Sequence, residues 1–274
     1  MKLGSSTFWW KNVDLTPAML QQMAAAGVQE VEIADYHPNF NYFNARWLKS
    51  IGKAARDAGL AVATVHTHLL HYDPELSLMH SDPVRHRRAV EAYLRAVDAL
   101  ALLGARCLLT HDVQLTDEPG GNPAERERAI AAVREIADYA AAANISLALE
   151  NVTRGWSSRV ANLVGFVEEV NHPAVRMCYD VAHACRADDP VTALRGALAH
   201  VNVLHINDQS RTESHLLPGK GDIPWDGVMA ALSQAQPDVH FIYELADAAE
   251  LGALASNFEW LHGLGARGAN VGAG

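Results

Sequence analysis

The sequence predicts an α/β protein, a single (β/α)8 TIM barrel. Three observations predict it. Eight short apolar or β-branched runs alternate with longer amphipathic segments, and the runs start about 34 residues apart on average, the length of one strand–helix unit. Runs such as Cys107–Thr110, Leu147–Glu150 and Val201–Ile206 are apolar almost throughout, as parallel strands covered on both faces are. Four helical segments end in Gly27, Gly59, Gly104 or Asn144 with a strand directly after, which is where a left-handed residue stops a helix. No G-x-G-x-x-G follows the first strand, which argues against an open dinucleotide-binding sheet.

Taken in order, the first strand covers Lys2–Thr7, and Thr16 with Pro17 opens a helix through Met23. Strands follow at Glu30–Asp35, Ala61–Thr67 and Ala105–Asp112. Before the last of these, Val90, Tyr93, Leu94, Val97, Leu100 and Ala101 form one apolar helical stripe. Ile130, Val133, Ile136, Ala137 and Ala140 form the next, leading to Ser146–Asn151 and Val175–Asp180. Asp189-Pro190 starts a helix carrying Val191, Leu194 and Leu198, and strands Val201–Asp208 and His240–Leu245 complete the eight. Leu251, Leu254, Phe258 and Leu261 mark the last helix. The barrel is expected over residues 1–262, with a loose Gly/Ala-rich tail over 263–274.

Composition narrows the function. With 49% hydrophobic and 20% charged residues the chain can bury a large core, so global disorder is excluded. No apolar run approaches 18 residues, so no membrane span is expected. Lys and Arg number 22 against 32 Asp and Glu, and a net charge of −10 opposes binding to nucleic acid through phosphates. Three cysteines without a C-x-x-C, and no apolar leader after Met1, fit a cytoplasmic protein with reduced thiols.

In such a barrel chemistry sits where strands end. The fifth strand ends in Glu150, the sixth in Asp180 and the eighth in Glu244, and the seventh carries His205. Alone, each has an ordinary structural role: an acid as a cap or ion pair, a histidine as a hydrogen-bonded core residue. Four metal-capable side chains on consecutive strands at one rim point instead to a metal site, since unpaired acids there are costly to bury. Three carboxylates and an imidazole suit one divalent ion, with Mn²⁺ preferred and Mg²⁺, Co²⁺ or Zn²⁺ open. His66 ends the third strand and either lines the pocket or packs. Glu32 reads as a structural or supporting acid. Trp9, Trp10, Trp156 and Trp225 fall in rim loops. Gly219-Lys220-Gly221 is a weak signal for an anion.

Leu149-Glu150-Asn151, Tyr179-Asp180-Val-Ala-His183, His205-Ile-Asn-Asp208 and Pro218-Gly-Lys-Gly-Asp-Ile-Pro-Trp225, followed by Glu244, together resemble the xylose isomerase-like barrels over nearly the whole chain. That sugar phosphate isomerase/epimerase group includes ketose 3-epimerases, hydroxypyruvate isomerase, inosose dehydratase and endonuclease IV. The resemblance implies Glu150, Asp180, His205 and Glu244 as metal ligands, with His183 and Arg211 at substrate oxygens; His66 at its strand end and Trp225 among the rim indoles that can stack on a sugar face are further substrate-binding candidates by position. It implies a homo-oligomeric sugar isomerase or epimerase acting through an enediolate on a ketose, a polyol-derived ketone or a keto-glycoside. Glu150 and Glu244 would be the bases. A dehydratase or lyase at the same site is the nearest alternative. The ketose 3-epimerases carry a glutamate six positions after the strand-5 ligand, and this chain has Trp156 there. A different class, an abasic-site endonuclease, would draw further metal ligands from His66, His111, His183, Glu213 and His215; the acidic charge balance opposes it.

Overall fold

A computed structural model describes residues 1–116, 121–233 and 239–271. Eight parallel strands form a closed barrel in chain order: β1 (Gly4–Ser6), β2 (Glu30–Ala34), β3 (Ala61–Thr67), β4 (Cys107–Thr110), β5 (Ser146–Glu150), β6 (Val175–Asp180), β7 (Val201–Ile206) and β8 (His240–Tyr243). The helices are α1 (Pro17–Ala25), α2 (Ala45–Asp57), α3 (Leu69–Tyr72), α4 (Pro83–Leu103), α5 (Pro123–Ala142), α6 (Val160–Val170), α7 (Val181–Ala184), α8 (Pro190–Ala197), α9 (Trp225–Leu232) and α10 (Leu254–Val271). All four helix-stopping residues expected from the sequence are left-handed, with φ of 88° at Gly27, 79° at Gly59 and Gly104, and 57° at Asn144. Asp189 caps α8 through Thr192, whereas Thr16 occupies the cap of α1 without a side-chain bond. The last helix continues to Val271, through the stretch expected to be a loose tail; Leu261 and Leu264 are buried and hold it down. No described helix is long and apolar enough to cross a membrane.

Two cores position the site. Large side chains fill the space between barrel and helices. Inside the barrel, Ala63, Cys107, Leu109, Ala148, Cys178, Val203 and Ile242 form a small apolar plug. Side chains two apart on a strand share a face. The next inward positions after Ala148, Cys178, Val203 and Ile242 are therefore Glu150, Asp180, His205 and Glu244. The plug is the floor of the site, and its polar layer is the same set of strands read two residues further on.

The basic run Arg85–Arg88 opens α4 and is already neutralised. Arg85 pairs with Glu75, Arg87 with Glu91 and Glu135, and Arg88 with Asp73.

Candidate metal centre and active site

The strand ends bring four predicted ligands together. One ligand atom each from Glu150, Asp180, His205 and Glu244 lie within 4.8 Å of one another, and all four residues are buried. His205 Nδ1 stands 3.1 Å from Glu150 Oε1, 3.6 Å from Glu244 Oε2 and 3.8 Å from Asp180 Oδ2. Its other nitrogen, Nε2, donates to Glu32 Oε2 at 3.1 Å, and Glu32 also accepts from Thr64 Oγ1 at 2.6 Å. Glu32 thus fixes the ring so that Nδ1 faces the acids, the arrangement that orients a metal-ligating histidine. Asp180 is held twice: the Asn151 side chain bonds its backbone N–H and C=O, and its carboxylate accepts from His183 N and Asn207 Nδ2.

Glu150 and Glu244 each turn a second oxygen toward His66, which lies 3.1 Å from Glu150 Oε2 and 3.4 Å from Glu244 Oε1. Neither His66 nitrogen makes a geometrically sound hydrogen bond, and Glu150 Oε2 has none. Burial disfavours charge on all these groups, but mutual attraction reverses it. Glu150 and Glu244 are held well below the usual carboxylate range by His205 and His66. His66 is pushed up to about 10 against the Glu150 charge, and His183 up to about 9 by Asp180 and Glu150. His205 is raised well above its ordinary value.

The remaining predicted residues divide. His183 Nδ1 donates to the Asn151 carbonyl at 2.9 Å and approaches Glu150 Oε1 at 3.4 Å. His215, left-handed at φ 57°, brings Nε2 to 3.4 Å from Glu244 Oε2. His111 joins His66 and a histidine that sequence reasoning passed over, His68, in a second three-residue group. His68 is fixed by Asp35 at 2.6 Å, and burial drives its pKa down; burial and the neighbouring His66 and His68 push His111 down to about 4. Arg211 and Glu213 are exposed on the loop after β7, and among the described residues Glu213 belongs to none of the metal-capable groups.

Trp225, expected against substrate, is buried, and its indole N–H donates to Asp208 Oδ2 at 2.9 Å. An indole hides a large apolar area and needs one acceptor, and Asp208 supplies it below the rim. Trp9 and Trp156 are also buried, Trp156 against Phe166. The Gly219-Lys220-Gly221 segment is likewise spent internally: Gly219 N–H bonds Asp208, and Lys220 pairs with Glu250.

The barrel has counterparts among known proteins. The profile of the xylose isomerase-like TIM barrels matches residues 20–264. The chain belongs to that family. A D-psicose 3-epimerase from Enterocloster bolteae is 24% identical over 236 residues, covering 81% of this chain and 72% of that protein. Among solved structures, an L-ribulose 3-epimerase superposes with a TM-score of 0.79 at 20% identity, covering 99% of this chain and 96% of that one. The IOLI protein with a bound zinc atom superposes at 0.77 and 15% identity, covering 97% and 99%. At those identities the structures attest the barrel; the family assignment rests on the profile.

Proposed function

We propose that this family member is a divalent-metal-dependent sugar epimerase or isomerase, removing and returning a proton on the carbon beside a carbonyl through an enediolate. The observation that carries it is the convergence of Glu150, Asp180, His205 and Glu244 at the floor of the barrel mouth. The residues fit a metal: three buried carboxylates and one oriented imidazole nitrogen crowd together, and the Glu150 Oε2 acceptor has no hydrogen bond. Glu150, Asp180, His205 and Glu244 would hold the ion, Mn²⁺ by preference, with Mg²⁺, Co²⁺ or Zn²⁺ as alternatives. When bound, a divalent ion supplies the Lewis acidity that polarises the substrate carbonyl and offsets the charge of the enediolate.

The chain's own residues do the proton work. Glu150 and Glu244 enter from β5 and just past β8 and are held ionised, so each can accept a carbon-bound proton. For inversion one of them, ionised, removes the proton, while the other, first protonated from solvent, delivers a different proton to the far face, and the two carboxyl groups exchange protonation states. Transfer by one of them between adjacent carbons gives isomerisation instead. His183, beside Glu150, is placed to hold a substrate oxygen. The epimerase name of the Enterocloster bolteae relative supports the proton-transfer reading. The enzyme would act on a small sugar in the cytoplasm, as a homo-oligomer, without nucleic acid or membrane.

The test is hydrogen–deuterium exchange at the carbon beside the carbonyl of D-fructose or D-psicose, in D₂O with excess Mg²⁺. Glu244→Gln keeps an oxygen but cannot accept a proton at neutral pH, so exchange should fall ~10²–10⁴-fold. Asp180→Asn should instead weaken metal binding, with activity partly restored by added metal. Exchange at the wild-type rate in metal-saturated Glu244→Gln removes Glu244 as a base.

A further inference from the structure

A cavity of about 300 Å³ lies beside the cluster, lined by Arg154, His183, Arg186, Asn207 and His215 among others. Its inner residues are those that touch the proposed ligands: Asn207 bonds Asp180, His183 approaches Glu150, and His215 approaches Glu244. Its outer residues include two arginines from different loops, Arg154 after β5 and Arg186 after α7, both exposed. No acidic side chain lines it. Among the described residues neither guanidinium has a hydrogen bond or an ion pair. The clustered arginines at the start of α4 differ: Arg85, Arg87 and Arg88 all meet carboxylates. In a chain with ten more acids than bases, two unpaired arginines over a cavity without an acid are a local reversal of sign. Asn207 Oδ1, fully buried at the inner end, also lacks a partner.

We infer that the substrate carries an anionic group, a carboxylate or a phosphate monoester, at the end remote from its carbonyl, and that Arg154 and Arg186 bind it. This rests on the proposed proton-transfer reading, since it takes the carbonyl end to lie at the acid cluster. A neutral ketose would leave both guanidiniums facing empty solvent, whereas a planar donor fork matches either oxyanion.

Three ketoses with the same first three carbons separate the possibilities: D-fructose, D-fructuronate with a carboxylate at C6, and D-fructose 6-phosphate. Binding is read by calorimetry on metal-free and Mg²⁺-loaded protein, and proton exchange by NMR in D₂O. At least one charged ketose should bind tenfold or more tightly than D-fructose, and which one it is distinguishes carboxylate from phosphate. Arg154→Gln/Arg186→Gln should abolish that preference, with the loss in KM rather than kcat, and Arg186→Lys should recover part of it. Equal affinity for all three, or a preference unchanged in the double variant, overturns the inference. Arginine-dependent binding of a charged ketose with no proton exchange on any of the three sinks the proton-transfer reading and leaves the anion pocket standing.

Discussion

Asp208 is the clearest place to break the loop architecture without touching the proposed ligands. It is fully buried and accepts four hydrogen bonds: Gln209 N at 2.8 Å, Ile223 N at 3.2 Å, Gly219 N at 2.8 Å and Trp225 Nε1 at 2.9 Å. Three of the four donors belong to Pro218–Trp225, so one carboxylate ties that whole segment to the end of β7. In Asp208→Asn one oxygen becomes an NH₂ group, and whichever it is, two donors lose their acceptor and face another donor. Hydrogen bonds to a charged group are worth about 1.5–3 kcal/mol each, so the variant should lose ~3–6 kcal/mol. That is a large share of the roughly 5–15 kcal/mol that holds a domain folded. Guanidinium unfolding followed by circular dichroism measures it, and amide exchange at Gly219 and Ile223 localises it. Gly221→Ala attacks the same anchor from the other side, because its Cβ would lie 2.2 Å from Gln209 O and 2.3 Å from Asp208 Oδ1. Overpacking of this kind costs about 1–3 kcal/mol. A loss below 1 kcal/mol in Asp208→Asn, with unchanged exchange, would refute the anchoring role.

The purified protein should carry about one divalent ion per chain, lost with activity in EDTA; because His205 must give up its Nδ1 proton to coordinate, affinity should rise with pH. Elemental analysis that finds no metal, with activity intact in chelator, rejects the site, and three ions would favour the endonuclease-like arrangement. Far from the mouth, burial raises the Glu30 pKa, but His240 and Lys2 outweigh it and hold it below 4.5. A depressed carboxylate stabilises the fold above the unfolded value and loses that contribution as pH falls. Glu30→Gln should therefore be less stable than wild type at pH 7, with the gap closing below pH 4.5 in pH-dependent melts; a constant gap contradicts it. Duplex DNA with an abasic site should be neither bound nor nicked at physiological salt, since the α4 arginines are already paired, and incision in a gel assay would reverse the ranking of the two classes.

Strand alternation made most of the proposed metal site legible. Glu150, Asp180 and Glu244 stand out in the sequence as acids at the ends of largely apolar strands, and His205 as an imidazole within one. The same rule, applied one step further, would also have found His68, two residues past His66, and Asn207, two past His205. The sequence reading stopped at the strand ends because hydrophobic runs stop there. The backbone, however, carries the same facing into the first loop residues, where Asp35 fixes His68 and Asn207 fixes Asp180.

What alternation cannot reach is a contact whose two halves come from different loops. Trp225 was expected at the rim against a sugar face, whereas Arg186 carried no expectation from the sequence. Partner chemistry decides where each one lies. Asp208 has four acceptor positions to fill and lies within reach of the indole N–H, so Trp225 turns inward. Arg186 finds no carboxylate among the described residues and stays over the cavity. The division follows from what each layer is made of. Strand ends set atoms that must meet within hydrogen-bonding distance, and a fixed backbone period supplies them. The loops set which substrate end those atoms are offered, and that depends on which charges the loops leave unpaired. On the proposed reading, a change confined to Arg154 and Arg186 should therefore alter which sugar is taken and leave the proton transfer assigned to Glu150 and Glu244 as it was.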